Sequence, residues 1–169
     1  MVGLTNTYLD QLGQATCPFW TGVWSCDRLK AMCKGQNKKK KSTKALACIV
    51  NLAPSSQPLG HFVALFYNQN RWKVFDPVGF LAIQNNQFID TFLNKHRNDN
   101  NPACYLTHPV IQHDQSQFCG FYCLALLLAV FRENITIQDF YQLFLPFPSL
   151  DNDDIVKRYL IHVLKTTMK

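Results

Sequence analysis

Between positions 118 and 131 the chain reads FCGFYCLALLLAVF, an apolar run without a single charge. No other segment constrains the fold as strongly. The run falls short of the roughly 20 residues needed to span a bilayer. A helix that is apolar on most of its sides has to be buried. A central helix over 118–132 is therefore expected, with the rest of the chain packed around it. The chain has 169 residues, enough for one domain with a real core, so a single 1–169 domain is expected. Hydrophobic residues make up 47% of it and 13 are Phe, which excludes disorder.

The remaining elements follow from pattern. A first helix is expected over 5–14, capped by Thr5 or Asn6, with Leu4, Tyr8, Leu9 and Leu12 on one side. Residues 17–24 read as an aromatic, turn-rich stretch, and 34–44 as an exposed polar loop. The apolar run 45–52 predicts a buried strand. The runs 61–67 and 71–75 around Asn68-Gln69-Asn70 predict a hairpin, closed by a turn at Asp76-Pro77-Val78-Gly79. A helix over 85–96, a short strand over 103–107 and helices over 136–144 (N-cap Thr136) and 152–165 complete the plan. The fold class is α+β, a small central mixed sheet with helices on both sides.

The charge is basic and uneven. Lys and Arg number 17 against 11 acids, giving a formal charge of +6. Arg28, Lys30, Lys34, Lys38, Lys39, Lys40, Lys41 and Lys44 fall in one segment without an intervening acid. A phosphate backbone or an acidic partner would respond to such a patch. The opening MVGLTNTYLDQ lacks the basic region and apolar block of a secretory signal. With that, an odd count of seven Cys points to an intracellular, reduced setting. No Cys-x-x-Cys pair is present. Cys119 and Cys123, with His108, His113 and Asp114 upstream, match no common zinc spacing. No metal is expected.

Cys119 falls at the first turn of the expected central helix, where the helix N-terminus favours a thiolate. Gly120 follows it and leaves the backbone beside the sulfur uncrowded for a substrate. A cysteine nucleophile needs a base, and the base an orienting partner. His61 begins one hairpin strand and Asp76 ends the next, and antiparallel pairing brings those ends together. His61, Asp76 and Cys119 thus form a candidate Cys-His-Asp triad. A Gln amide can donate to an oxyanion beside the Cys119 N–H, and Gln112, Gln115 and Gln117 compete for that role.

Taken together, Gly60-His61-Phe62, Phe75-Asp76-Pro77-Val78-Gly79-Phe80, and Gln112 seven residues before Cys119-Gly120-Phe121-Tyr122-Cys123 resemble the adenovirus endopeptidase (adenain) family. Cys17-Pro18-Phe19 resembles that family's opening segment and 46–51 its first strand, so the likeness runs in order through about 8–131. SUMO and ubiquitin-like proteases of the wider clan place the Gln six residues before the Cys, and the spacing here fits adenain better. Two positions depart from the family: Asp76 stands for its Glu, and Phe62 for the Trp beside the His, where a Phe can still lie against the imidazole.

The resemblance implies the papain-like clan fold of adenain and the Ulp-type proteases. It also implies a monomeric cysteine endopeptidase with Gln112 in the oxyanion hole. Its expected substrates are viral capsid and core precursors, cut at small-residue, Gly-containing sites during virion maturation. No cofactor is required for the chemistry. An activating viral peptide, disulfide-bonded to Cys104, is implied as a partner. So is non-specific DNA, for which Lys34, Lys38, Lys39, Lys40, Lys41 and Lys44 are the candidate contacts. The expected setting is the virion and host nucleus, with no membrane partner. Two rivals stand beside this: a deubiquitinating or deSUMOylating protease of the same clan, and a non-enzymatic basic DNA-binding virion protein.

Overall fold

The computed structural model describes residues 6–32, 45–57, 60–79, 86–96, 103–106 and 109–167. They form an α+β fold around one five-stranded sheet in the order β1-β2-β3-β4-β5. The strands are β1 (Trp20–Ser25), β2 (Leu46–Asn51), β3 (Phe62–Asn68), β4 (Arg71–Phe75) and β5 (Cys104–Tyr105). The two outer pairings are parallel and the two inner ones antiparallel, so the sheet is mixed. The helices are α1 (Asn6–Thr16), α2 (Leu29–Met32), α3 (Gln87–Lys95), α4 (Cys119–Phe131), α5 (Ile137–Tyr141) and α6 (Asp151–Thr167). Among the described residues no helix is long and apolar enough to cross a membrane.

Both faces of the sheet are covered. Ala47, Ile49, Phe62, Ala64 and Phe66 face a core built with α1, α4, α5 and α6. Leu46, Cys48, Val50, Val63 and Leu65 face a second core with α2 and α3. This explains why 45–52 reads as a continuous apolar run without alternation: β2 is buried along its whole length. Helix α4 is the centre of the larger core, and ten of its 13 residues are buried. Each fully buried Leu among them contributes roughly 1.5–3 kcal/mol relative to exposure.

The hairpin turns at Gln69 and Asn70, whose φ values of 54° and 59° are left-handed at both positions. A two-residue turn of that kind matches the twist of paired strands. Helix α3 begins at Asn86, whose side chain accepts from the N–H groups of Phe88 and Ile89. Thr136 caps α5 as expected.

The stretch 17–24 departs from expectation. It supplies β1, an edge strand parallel to β2. Its register breaks between Trp20 and Val23, where Gly22 has φ 123°, a conformation that favours glycine. Asp10 of α1 accepts at this break from Trp20 Nε1 (2.9 Å) and from the Val23 N–H (3.2 Å).

Candidate active site

The two antiparallel strands of the hairpin bring His61, just before β3, beside Asp76, just after β4. His61 Nε2 lies 2.6 Å from Asp76 Oδ1. A carboxylate only accepts, so Nε2 is the donor. That leaves Nδ1 for a second partner, and the Cys119 thiol lies close enough to the ring to act on its charge. Three side chains far apart in sequence therefore meet at one end of the sheet, at the start of α4. Asp76 is 1% exposed and the His61 side chain 25% exposed. The carboxylate is enclosed while the imidazole reaches the surface.

Asp76 is fixed by its own turn. Its Oδ1 also accepts from the Val78 N–H (3.0 Å), and its carbonyl accepts from the Gly79 N–H (3.0 Å). Such side-chain-to-backbone bonding two residues on is what Asp does well in turns. The opposing influences on His61 are clear. Burial pushes the imidazole down, but the bonds and negative charge of Asp76 and Cys119 outweigh it, raising the group from 6.5 to about 9.

The other described cysteines behave differently. Cys17, Cys26, Cys48 and Cys123 each turn their Sγ toward a backbone carbonyl, at 3.1–3.4 Å. Burial pushes the Cys17 thiol up to about 12 and raises Cys123 well above the ordinary thiol range. Both are held as neutral S–H groups. Cys119 is the described thiol that faces an imidazole.

Of the three Gln candidates, the structure brings Gln112 to the site and leaves Gln115 and Gln117 exposed. Gln112 is 3% exposed. Its backbone N–H and that of Ile111 donate to the Pro77 carbonyl (3.1 and 3.2 Å), tying this segment to the Asp76 turn. Its Nε2 donates to the Ser116 carbonyl (2.9 Å), which sets the amide orientation and leaves a second N–H. At the start of α4 the N–H groups of Cys119 and Gly120 precede the first intrahelical bonds, which run from the Phe121 and Tyr122 N–H groups to the Phe118 carbonyl, and the N-cap Phe118 offers no side-chain bond. This is an arrangement able to hold an oxyanion.

Two expectations are corrected. Gly120 is buried against α1, where an added Cβ would sit 2.4 Å from Leu9 Cδ1. Its smallness serves helix packing rather than substrate approach. Phe62 is buried in the core between β3 and α4 and, among the described residues, makes no ring contact with His61. Sequence reasoning also missed Ser116, Asn152 and Asp153, which surround Gln112 and the start of α4. Nothing in their spacing signals this, because the contacts join residues 37 and 41 positions apart.

His113 pairs with its neighbour Asp114 at 2.8 Å. Cys104 opens β5 opposite Lys73, and its side chain lies outside the described residues. Lys34, Lys38, Lys39, Lys40, Lys41, Lys44 and His108 also lie outside them.

No family model matches the chain, and no curated protein matches its sequence. Solved structures do resemble it. The central domain of the uncharacterized Lpg1148 protein from Legionella pneumophila superposes with a TM-score of 0.58 at 11% identity, covering 98% of each chain. AvrA delL154, in a structure with IP6 and CoA, gives a TM-score of 0.45 at 13% identity, over 94% of this chain and 68% of that one. The first likeness is one of fold alone. The second is too loose to bear on function.

Proposed function

We propose that this protein is a cysteine endopeptidase of the adenain type. The observation that carries the reading is the His61 ring, bonded on one side to a buried Asp76 and in contact on the other with the Cys119 thiol. Cys119 attacks the scissile carbonyl as a thiolate. His61 holds the proton withdrawn from the thiol and gives it to the leaving amine, while Asp76 fixes the orientation of the ring. Gln112 and the Cys119 N–H stabilise the oxyanion. The acyl-enzyme is then released by water.

The finer parts of the proposal rest on the resemblance of the motifs. They are viral precursor substrates cut at Gly-containing sites, a peptide partner bonded to Cys104, DNA along 28–44, and action in the virion and host nucleus. The deciding experiment compares wild type and Cys119→Ala on a library of Gly-containing peptides, with and without DNA. Cleavage by the wild type alone is expected. Equal activity or equal silence of the two proteins defeats the assignment. Reaction with a ubiquitin-like C-terminal electrophile, without peptide cleavage, favours the deconjugating rival.

A further inference from the structure

The first turn of α6 reaches the oxyanion side of the site through buried polar groups that take no part in the chemistry above. Asp153 is 7% exposed, and its Oδ1 accepts from Ser116 Oγ (2.8 Å) and from the Tyr122 hydroxyl (3.0 Å). Ser116 Oγ in turn accepts from the Phe118 N–H (3.1 Å), one residue before Cys119. The Ser116 carbonyl receives Gln112 Nε2. Next to Asp153, the wholly buried Asn152 donates to the Ile111 carbonyl (2.8 Å), and Ser149 pairs with Gln112 in an isolated parallel bridge. Ser116 is thus the point where the Gln112 amide and the backbone just before Cys119 meet α6.

We infer that Asp153 is a positioning residue for the oxyanion donors, acting through Ser116. A hydroxyl has one hydrogen and two acceptor sites. The Asp153 carboxylate claims that hydrogen in a charge-assisted bond. The Ser116 lone pairs then point at the Phe118 N–H, and the loop from Gln112 to Cys119 is held in one frame. Without the carboxylate the hydroxyl is free to rotate, and both donors lose a fixed support. Misplacing a reacting or stabilising group by about 1 Å costs on the order of 100-fold in rate. The inference rests on the endopeptidase reading of the site.

Four variants of the full chain test it: Ser116→Ala, Asp153→Ala, Asp153→Asn and Tyr122→Phe. Ser116→Ala and Asp153→Ala should each lower kcat by about 10–100-fold with KM nearly unchanged. The double variant should be no worse than the poorer single one, because both break the same route. Asp153→Asn keeps an acceptor oxygen and should retain most of kcat. Tyr122→Phe removes the other bond to that carboxylate; it should lower Tm and leave kcat alone. Hydrogen exchange at the Phe118 and Cys119 amides should quicken in Ser116→Ala. Unchanged kcat in Ser116→Ala, multiplied losses in the double variant, or an equal kcat loss in Tyr122→Phe would overturn the inference. If Asp153→Ala does not fold, Ser116→Ala and Asp153→Asn decide. If the wild type cleaves nothing, the endopeptidase reading fails separately. The exchange measurement then decides the positioning: quickening supports it and no change overturns it.

Discussion

The first and second turns of α4 carry the same reactive group in opposite states. Cys119 and Cys123 are four residues apart, one helical turn along a single buried helix. Cys123 is fully enclosed; it donates to the Phe62 carbonyl, and burial raises it far above an ordinary thiol. Cys119 retains 9% exposure and faces the His61 imidazole. One turn of helix therefore separates a thiol locked as a small apolar group from one paired with a base. Burial alone does not make a cysteine inert or active; the partner facing it does.

The harshest way to break this contrast is to remove one sulfur at a time. Cys119→Ala should lower kcat/KM by about 10⁴-fold or more, since a triad nucleophile has no substitute. Iodoacetamide followed by peptide mapping should label Cys119 and spare Cys123 and Cys17. Labelling of Cys123 at a comparable rate would erase the distinction. Gln112→Ala ranks next. Loss of one oxyanion donor typically costs about 10²–10³ in kcat, and alkylation of Cys119 should be unaffected, because that reaction develops no oxyanion. A parallel fall in alkylation would mean that Gln112 shapes the thiol environment instead.

A smaller effect probes the base. His61 is held as a cation up to about pH 9, chiefly against the pull of burial. The high-pH limb of the activity profile should therefore fall near pH 9, where the ring can no longer protonate a leaving amine. Asp76→Asn removes one of the two raising partners, so the limb should move to lower pH, with kcat down about tenfold at neutral pH. The stability consequence has a definite sign. A pKa raised on folding adds stability that is complete below pH 6.5 and is lost as pH rises through about 9. Wild-type Tm should fall over that window more than the Tm of His61→Ala. Equal slopes would remove the linkage.

Much of this was legible in sequence, and the reasons are local. The run at 118–131 can only be a buried helix, and the strands 61–67 and 71–75 can only meet at one pair of ends. The His61–Asp76 contact follows from that pairing. What stayed hidden depends on distant partners. The strand β1 is half-buried along its length, with no apolar alternation to mark it. The burial of Gly120 under Leu9 and the bonds of Asn152 and Asp153 depend on how α1 and α6 dock on α4. No residue spacing encodes those dockings.

The mildest expected effect sharpens the contrast from its quiet side. Cys123 belongs to the larger core and has no exposed surface. Cys123→Ala removes one sulfur's volume and one weak bond to the Phe62 carbonyl. A cavity smaller than that of a Leu→Ala change should cost about 1–2 kcal/mol, and Tm should drop by several degrees by calorimetry. The kcat should stay within about threefold, because the hydrogen bond of the Cys123 sulfur goes to the Phe62 carbonyl and not to His61, Asp76 or Gln112. A large loss of activity at unchanged Tm would show that the second turn of α4 takes part in the chemistry, and the one-turn boundary between the two thiols would have to be redrawn.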